Sequence, residues 1–237
     1  MLNYLANPTR FRKIAIFILP FLEVTCFFSF GYGLYLALLV SPADYQQGDA
    51  VRIMYVHVPS AWLALSSYLL LGICSFFFLI WRHPLAEIAA RSIAPIGTGF
   101  AALTLITGSF WGKPIWGVWW VWDGRLTSML VLFFFFIGYI SLSNAFDRSE
   151  RGARPAAILA LVGCINLPIV KFSVDWWHTL HQPASIMRSG GISIDTAMLW
   201  PLLTLFFSFQ IFFIIIVLTR MLTLLNELKY FKQISRS

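Results

Sequence analysis

The sequence predicts an all-α integral membrane protein, a bundle of six transmembrane helices joined on one face by Trp-rich loops. Composition is the first observation. Of 237 residues, 59% are apolar or aromatic and 11% are charged, where a soluble domain carries about 25% charge. So little charge cannot clothe a water-facing globule, and the composition also excludes a disordered chain and a nucleic-acid module with a basic soluble face. Continuity is the second. Six apolar stretches, 14–40, 61–81, 88–110, 126–146, 156–174 and 197–219, are each long enough to cross a hydrocarbon layer of about 30 Å. Runs this unbroken leave no strict alternation for a barrel. Charge asymmetry is the third. One face collects twelve Lys/Arg and four acids, the other five of each, with Glu23 inside the membrane. The positive-inside rule then places both termini in the cytoplasm.

Taken in order, the first stretch has 27 residues, so it spans with tilt or extends beyond the bilayer. It holds Glu23, is too long for the apolar part of a signal peptide and lacks a clear small-x-small site before Ser41, so it is expected to remain as an anchor. The second follows R-I-M-Y-V-H-V-P-S-A-W and ends at Trp81. The third leads into W-G-K-P-I-W-G-V-W-W-V-W-D-G-R-L-T-S, Trp111 to Ser128. Gly112, Pro114 and Gly117 predict a loop at the start of that run, with Trp116, Trp119, Trp120 and Trp122 on a short interfacial helix or turn. On such a helix Trp116 would share a face with Trp119 and Trp120. The fourth stretch emerges from this run, the fifth feeds into D-W-W-H-T-L-H-Q-P, and the sixth ends in a basic tail.

Connections on the basic face are short, whereas those on the other run to about 15–20 residues, a length usually reserved for function. No repeat, low-complexity tract or flexible linker interrupts the chain, so residues 1–237 read as a single polytopic membrane domain. Cys26, Cys74 and Cys164 lie in apolar runs without a C-x-x-C pair and read as packing residues.

Nine of ten tryptophans gather at the long-loop face, and only Trp81 marks the other. An aromatic belt decorates both interfaces, so one-sided loading suits a large flat ligand, with an in-plane amphipathic anchor as the alternative. Three of four histidines share that face: His57, His178 and His181. Imidazoles on two separate loops can grip one haem iron from opposite sides. His178-x-x-His181 can instead offer two nitrogens to zinc.

The run Trp116–Asp123, W-G-V-W-W-V-W-D, resembles the WWD signature of haem-handling membrane proteins. With six spans and flanking histidines, the whole chain resembles the CcmC family of cytochrome c maturation; larger WWD relatives have more spans and additional intramembrane histidines. The resemblance implies that His57 and His181 are the axial ligands of haem b and that Trp116–Asp123 is its platform. His178 is an additional imidazole beside that pattern. The expected haem-binding set is His57, His181, Trp111, Trp116, Trp119, Trp120, Trp122, Asp123 and Arg125, with Arg125 or Lys113 neutralising a propionate. It further implies a site at the periplasmic face of a bacterial inner membrane and transfer of haem to the chaperone CcmE. The implied partners are the ABC transporter CcmA and CcmB and the small membrane protein CcmD. Two other classes compete: a membrane redox subunit, which would bury its haem ligands mid-span, and a metal-ion carrier, which would need more intramembrane ionisable groups than Glu23. The absence from the sequence of a Walker A loop, a nucleophile–base constellation and a Rossmann fingerprint predicts a binding and transfer subunit, not an enzyme.

Overall fold

A computed structural model describes residues 7–145, 149–182, 186 and 190–234. Asp147, Arg188 and Ser237, which enter the charge and topology expectations, lie outside the described residues. The elements are α1 (Pro8–Tyr35), α2 (Met54–Trp81), α3 (Pro84–Trp116), α4 (Gly124–Asn144), α5 (Ser149–Gly163), α6 (Asn166–Trp176) and α7 (Thr196–Ile234). They supply six helical segments long and apolar enough to cross a membrane, with α5 and α6 sharing the fifth. Helices dominate because hydrocarbon offers backbone groups no partner outside their own segment.

Local signals set the ends. Asn7 Oδ1 accepts from the amides of Thr9 and Arg10 at 2.9 and 3.3 Å, and Pro8 begins α1. A π-helical turn, Leu36–Val40, continues α1 until Ser41, which turns extended before Pro42. Arg82 closes α2 in the left-handed region at φ 49°, and His83 caps α3. The fifth span breaks at Cys164 and Ile165 between α5 and α6.

Most segments overrun the expected apolar stretches. The second runs from Asp49 to Trp81 and the third from Pro84 to Trp116, because turns at the polar boundary stay helical beyond the hydrocarbon. Two expectations are corrected. His57, expected on a loop before the second span, lies in the first turn of α2. The loop expected from Trp111 onward is helix as far as Trp116: Pro114 accepts the helical φ, and the chain leaves only at Gly117, whose φ of 77° caps α3. Residues 117–123 then run without helical structure, so Trp116, Trp119 and Trp120 share no helical face.

The core lies where α2, α3, α4 and α5 meet, around Leu63, Tyr68, Leu71, Ile93, Leu132 and Phe136. Helix α1 packs chiefly on α7, where a Cβ on Gly33 would crowd Leu205. Its other side exposes Phe17, Phe21, Phe27 and Phe28, as a lipid-facing surface does, and Glu23 stands on that same exposed side.

Candidate functional site

At the Trp-rich end of the bundle, α2, α3, α4, α6 and the 180–182 segment enclose a cavity of about 1060 Å³. That is the upper end of the range for small-molecule sites, roughly 300–1,000 Å³. His57 and His181 both line it, their ring centres 6.3 Å apart. Two imidazoles facing one metal, each through a metal–nitrogen bond of about 2.0–2.1 Å, have ring centres about 6 Å apart. Tryptophan edges brace both rings: Trp111 meets His57 at 5.6 Å, and Trp116 meets His181 at 5.5 Å.

Helix α3 supplies the cradle for His57. A Cβ on Gly108 would come within 3.0 Å of His57 Cε1, so glycine lets the ring lie against the helix. The Thr107 hydroxyl gives its single proton to the Leu103 carbonyl at 2.6 Å. Its oxygen, 3.0 Å from His57 Nδ1, can therefore only accept, so Nδ1 carries the proton and Nε2 keeps its lone pair.

His181 is held through the acidic end of the Trp run. Asp123 Oδ1 caps α4 by accepting from the Leu126 amide at 2.8 Å, while Oδ2 accepts the Thr179 hydroxyl. The Thr179 oxygen accepts in turn from the His181 amide at 3.1 Å. Trp177 adds packing against Gly124, where a Cβ would approach its ring to 3.0 Å. Burial first, and the Arg125 guanidinium next, push His181 down to about 4, with Asp123 opposing. The imidazole is therefore neutral near pH 7, so one of its nitrogens carries a lone pair that can ligate a metal.

The remaining candidates divide. Trp111, Trp116, Trp120 and Arg125 line the cavity; Trp119, Trp122 and Asp123 do not. Trp119 is 53% exposed and packs on Phe110, with Lys113 Nζ 5.9 Å from its ring centre; Trp122 is 75% exposed and meets Trp120 edge-on. Asp123 is buried and tied to backbone and Thr179 instead. His178 is exposed, and no group of three His, Cys, Asp or Glu side chains among the described residues could hold a metal ion.

Sequence reasoning missed Thr107, Thr179, Gln47 and Lys171. Gln47 Oε1 accepts from Trp111 Nε1 at 2.8 Å, and Lys171 joins Arg125 on the cavity wall. Only Thr179 had a local signal, its place between His178 and His181; Thr107 lies 50 positions from its histidine. Among the described residues the lining carries two cations, two imidazoles and no carboxylate, and Trp120 Nε1 is a buried donor without a partner. This wall suits a flat apolar body that offers a metal to its centre and acid groups to its edge.

The sequence model of CcmC, described as heme exporter protein C, matches residues 1–235. The chain is 51% identical to heme exporter protein C of Bradyrhizobium diazoefficiens over 217 residues, covering 92% of this chain and 82% of that protein. It is 42% identical to heme exporter protein C of Escherichia coli K12 over 224 residues, 94% of this chain and 90% of the relative. A putative cytochrome c biosynthesis ccmC-like mitochondrial protein of Marchantia polymorpha is 47% identical over 194 residues, 80% of this chain and 82% of its own.

Proposed function

The chain belongs to the CcmC family, and from that premise we propose that it holds haem b as cargo between His57 and His181. The protein is a multi-pass membrane protein that handles haem in cytochrome c maturation. On our reading the site faces the periplasm, both termini are cytoplasmic, and the haem passes to the chaperone CcmE. CcmA, CcmB and CcmD work beside it. The carrying observation is the pair of imidazoles, 6.3 Å apart across a Trp-walled cavity.

Each part has a role in this reading. Nε2 of His57 and a nitrogen of His181 complete the iron's axial positions, leaving none open to stray oxygen chemistry. Trp111, Trp116 and Trp120 bury the macrocycle, and Arg125 meets a propionate. Asp123 positions the His181 segment and makes no haem contact. Trp119 and Trp122 form the rim that an approaching partner meets.

An optical spectrum of the purified, haemin-reconstituted protein tests the reading. Low-spin, bis-imidazole absorbance is expected; no porphyrin uptake, or a spectrum indifferent to His57 and His181, would refute it. The rim and wall should separate in haem retention. Trp120→Ala, which removes a wall ring, should release haem faster than Trp119→Ala combined with Trp122→Ala. Equal losses would return the rim residues to the haem contact set.

Thr107→Val keeps the side-chain volume but removes the acceptor for His57 Nδ1. Losing such an outer partner weakens metal binding roughly 10–100-fold, so haem titration should show at least a tenfold loss with the low-spin spectrum retained at saturation. Orientation is checked by impermeant thiol labelling of a Cys-free variant in intact cells. A cysteine at Gln47 should label and one at Ser237 should not; the reverse would invert the topology.

A further inference from the structure

The cavity is not sealed from the side. On α2 its wall runs from Ala61 through Leu65 and Ser66 to Leu69, and on α6 through Leu167, Pro168 and Phe172. Several of these residues remain exposed, with Leu69 at 50% and Phe172 at 43%. They therefore form a mouth and not an inner lining. All lie within membrane-crossing segments. Leu69 is eight residues beyond Ala61, about 12 Å along the helix at roughly 1.5 Å per residue. The mouth thus reaches from the polar boundary down towards mid-bilayer.

The break in the fifth span explains why it opens. Up to the break, α2 packs closely on this span: a Cβ on Gly163, the last residue of α5, would overlap the Tyr68 hydroxyl, and one on Gly72 would overlap the Sγ of Cys164 in the turn. At Cys164 and Ile165 the helix stops in a turn, and α6 restarts at Asn166. Its first residue, Asn166, donates from Nδ2 to the Ser128 carbonyl of α4 at 2.8 Å. That buried bond ties α6 to α4, and among the described residues α6 packs closely on α4 and not on α2, which leaves a wedge between α6 and α2. The wedge walls are apolar, and Lys171 stands near its polar end.

We propose that this wedge between α2 and α6 is a lateral door through which haem passes from the bilayer to His57 and His181. The inference rests on the haem-holding reading. An apolar macrocycle with acid groups at one edge lies naturally at the membrane boundary, its body in hydrocarbon and its acids at the polar surface. In that attitude it slides between Leu65 and Phe172 with its acid edge towards Lys171 and then Arg125. No polar group has to cross the bilayer core.

Two measurements on the full chain in phosphatidylcholine nanodiscs test the door. The first needs no haem. With Cys26, Cys74 and Cys164 replaced by Ala, bimane attached at Ser66→Cys should be quenched by lipid brominated at mid-chain as strongly as bimane at Phe27→Cys. The second follows low-spin absorbance after mixing with haemin-loaded phosphatidylcholine vesicles. Ser66→Trp and Pro168→Trp, which fill the mouth, should each slow uptake from vesicles at least tenfold, and by more than they slow uptake of haemin added from water. Unquenched bimane, or parental uptake rates in both variants, would overturn the door alone. A parent protein that takes up no haemin would overturn the haem reading and the door with it.

Discussion

His57→Gly and His181→Gly each convert the reconstituted protein from a low-spin to a high-spin spectrum, and added imidazole restores the low-spin form. This is the largest single-residue effect expected here. Deleting either ring opens one axial position, while the opposite imidazole and the indoles keep the macrocycle seated. Glycine leaves a hole of imidazole shape on the cavity wall, so exogenous imidazole can occupy the vacant position. His57→Gly should respond cleanly, because Thr107 and Gly108 remain to orient the replacement ring. His178→Ala should leave the spectrum unchanged, since that side chain is exposed. A spectral change with His178→Ala but not with His181→Gly would reassign the second ligand. No change in any of the three would exclude axial ligation by these histidines.

Asp123→Ala should reproduce the spectrum of His181→Gly without removing a ligand. The substitution deletes a helix cap on α4 and the acceptor that holds Thr179. A lost cap costs about 1 kcal/mol and a hydrogen bond to a charged group about 1.5–3 kcal/mol. Both losses fall on one end of α4 and on the segment that presents His181, so that ligand loses its fixed position while His57 keeps its cradle. Thr179→Val is the discriminating companion. It does not line the cavity, so haem contact cannot explain an effect there. If Thr179→Val also yields a high-spin spectrum that imidazole repairs, Asp123 acts by positioning. A wild-type spectrum in Thr179→Val, with a changed one in Asp123→Ala, would point to a direct role for the carboxylate.

Much of this could be read along the chain. Apolar length predicted the six crossings, and the one-sided gathering of Trp and His pointed to the end of the bundle where the cavity opens. Arg125 was legible because it closes the Trp run. The roles within that run were less legible. Helical spacing grouped Trp116 with Trp119 and Trp120, yet Gly117 ends α3 between them, so Trp116 and Trp120 turn inward while Trp119 turns out. Thr107 could not be found at all, because a threonine in an apolar helix reads as one that bonds its own preceding turn, and it does that as well.

By itself, then, the sequence determined the solvent in which this protein lives, the number of crossings and the end of the bundle where the His- and Trp-lined cavity lies. Those properties are sums over neighbouring residues, and hydropathy and charge report such sums directly. Only the tertiary structure decided which indoles wall the cavity, which nitrogen of His57 is free, and that Asp123 reaches the His181 segment through Thr179. The physical reason is that each of these depends on where the chain turns out of a helix or on a bond between residues distant in sequence. A hydrogen bond is directional and short, so it exists only once packing has brought both partners into place.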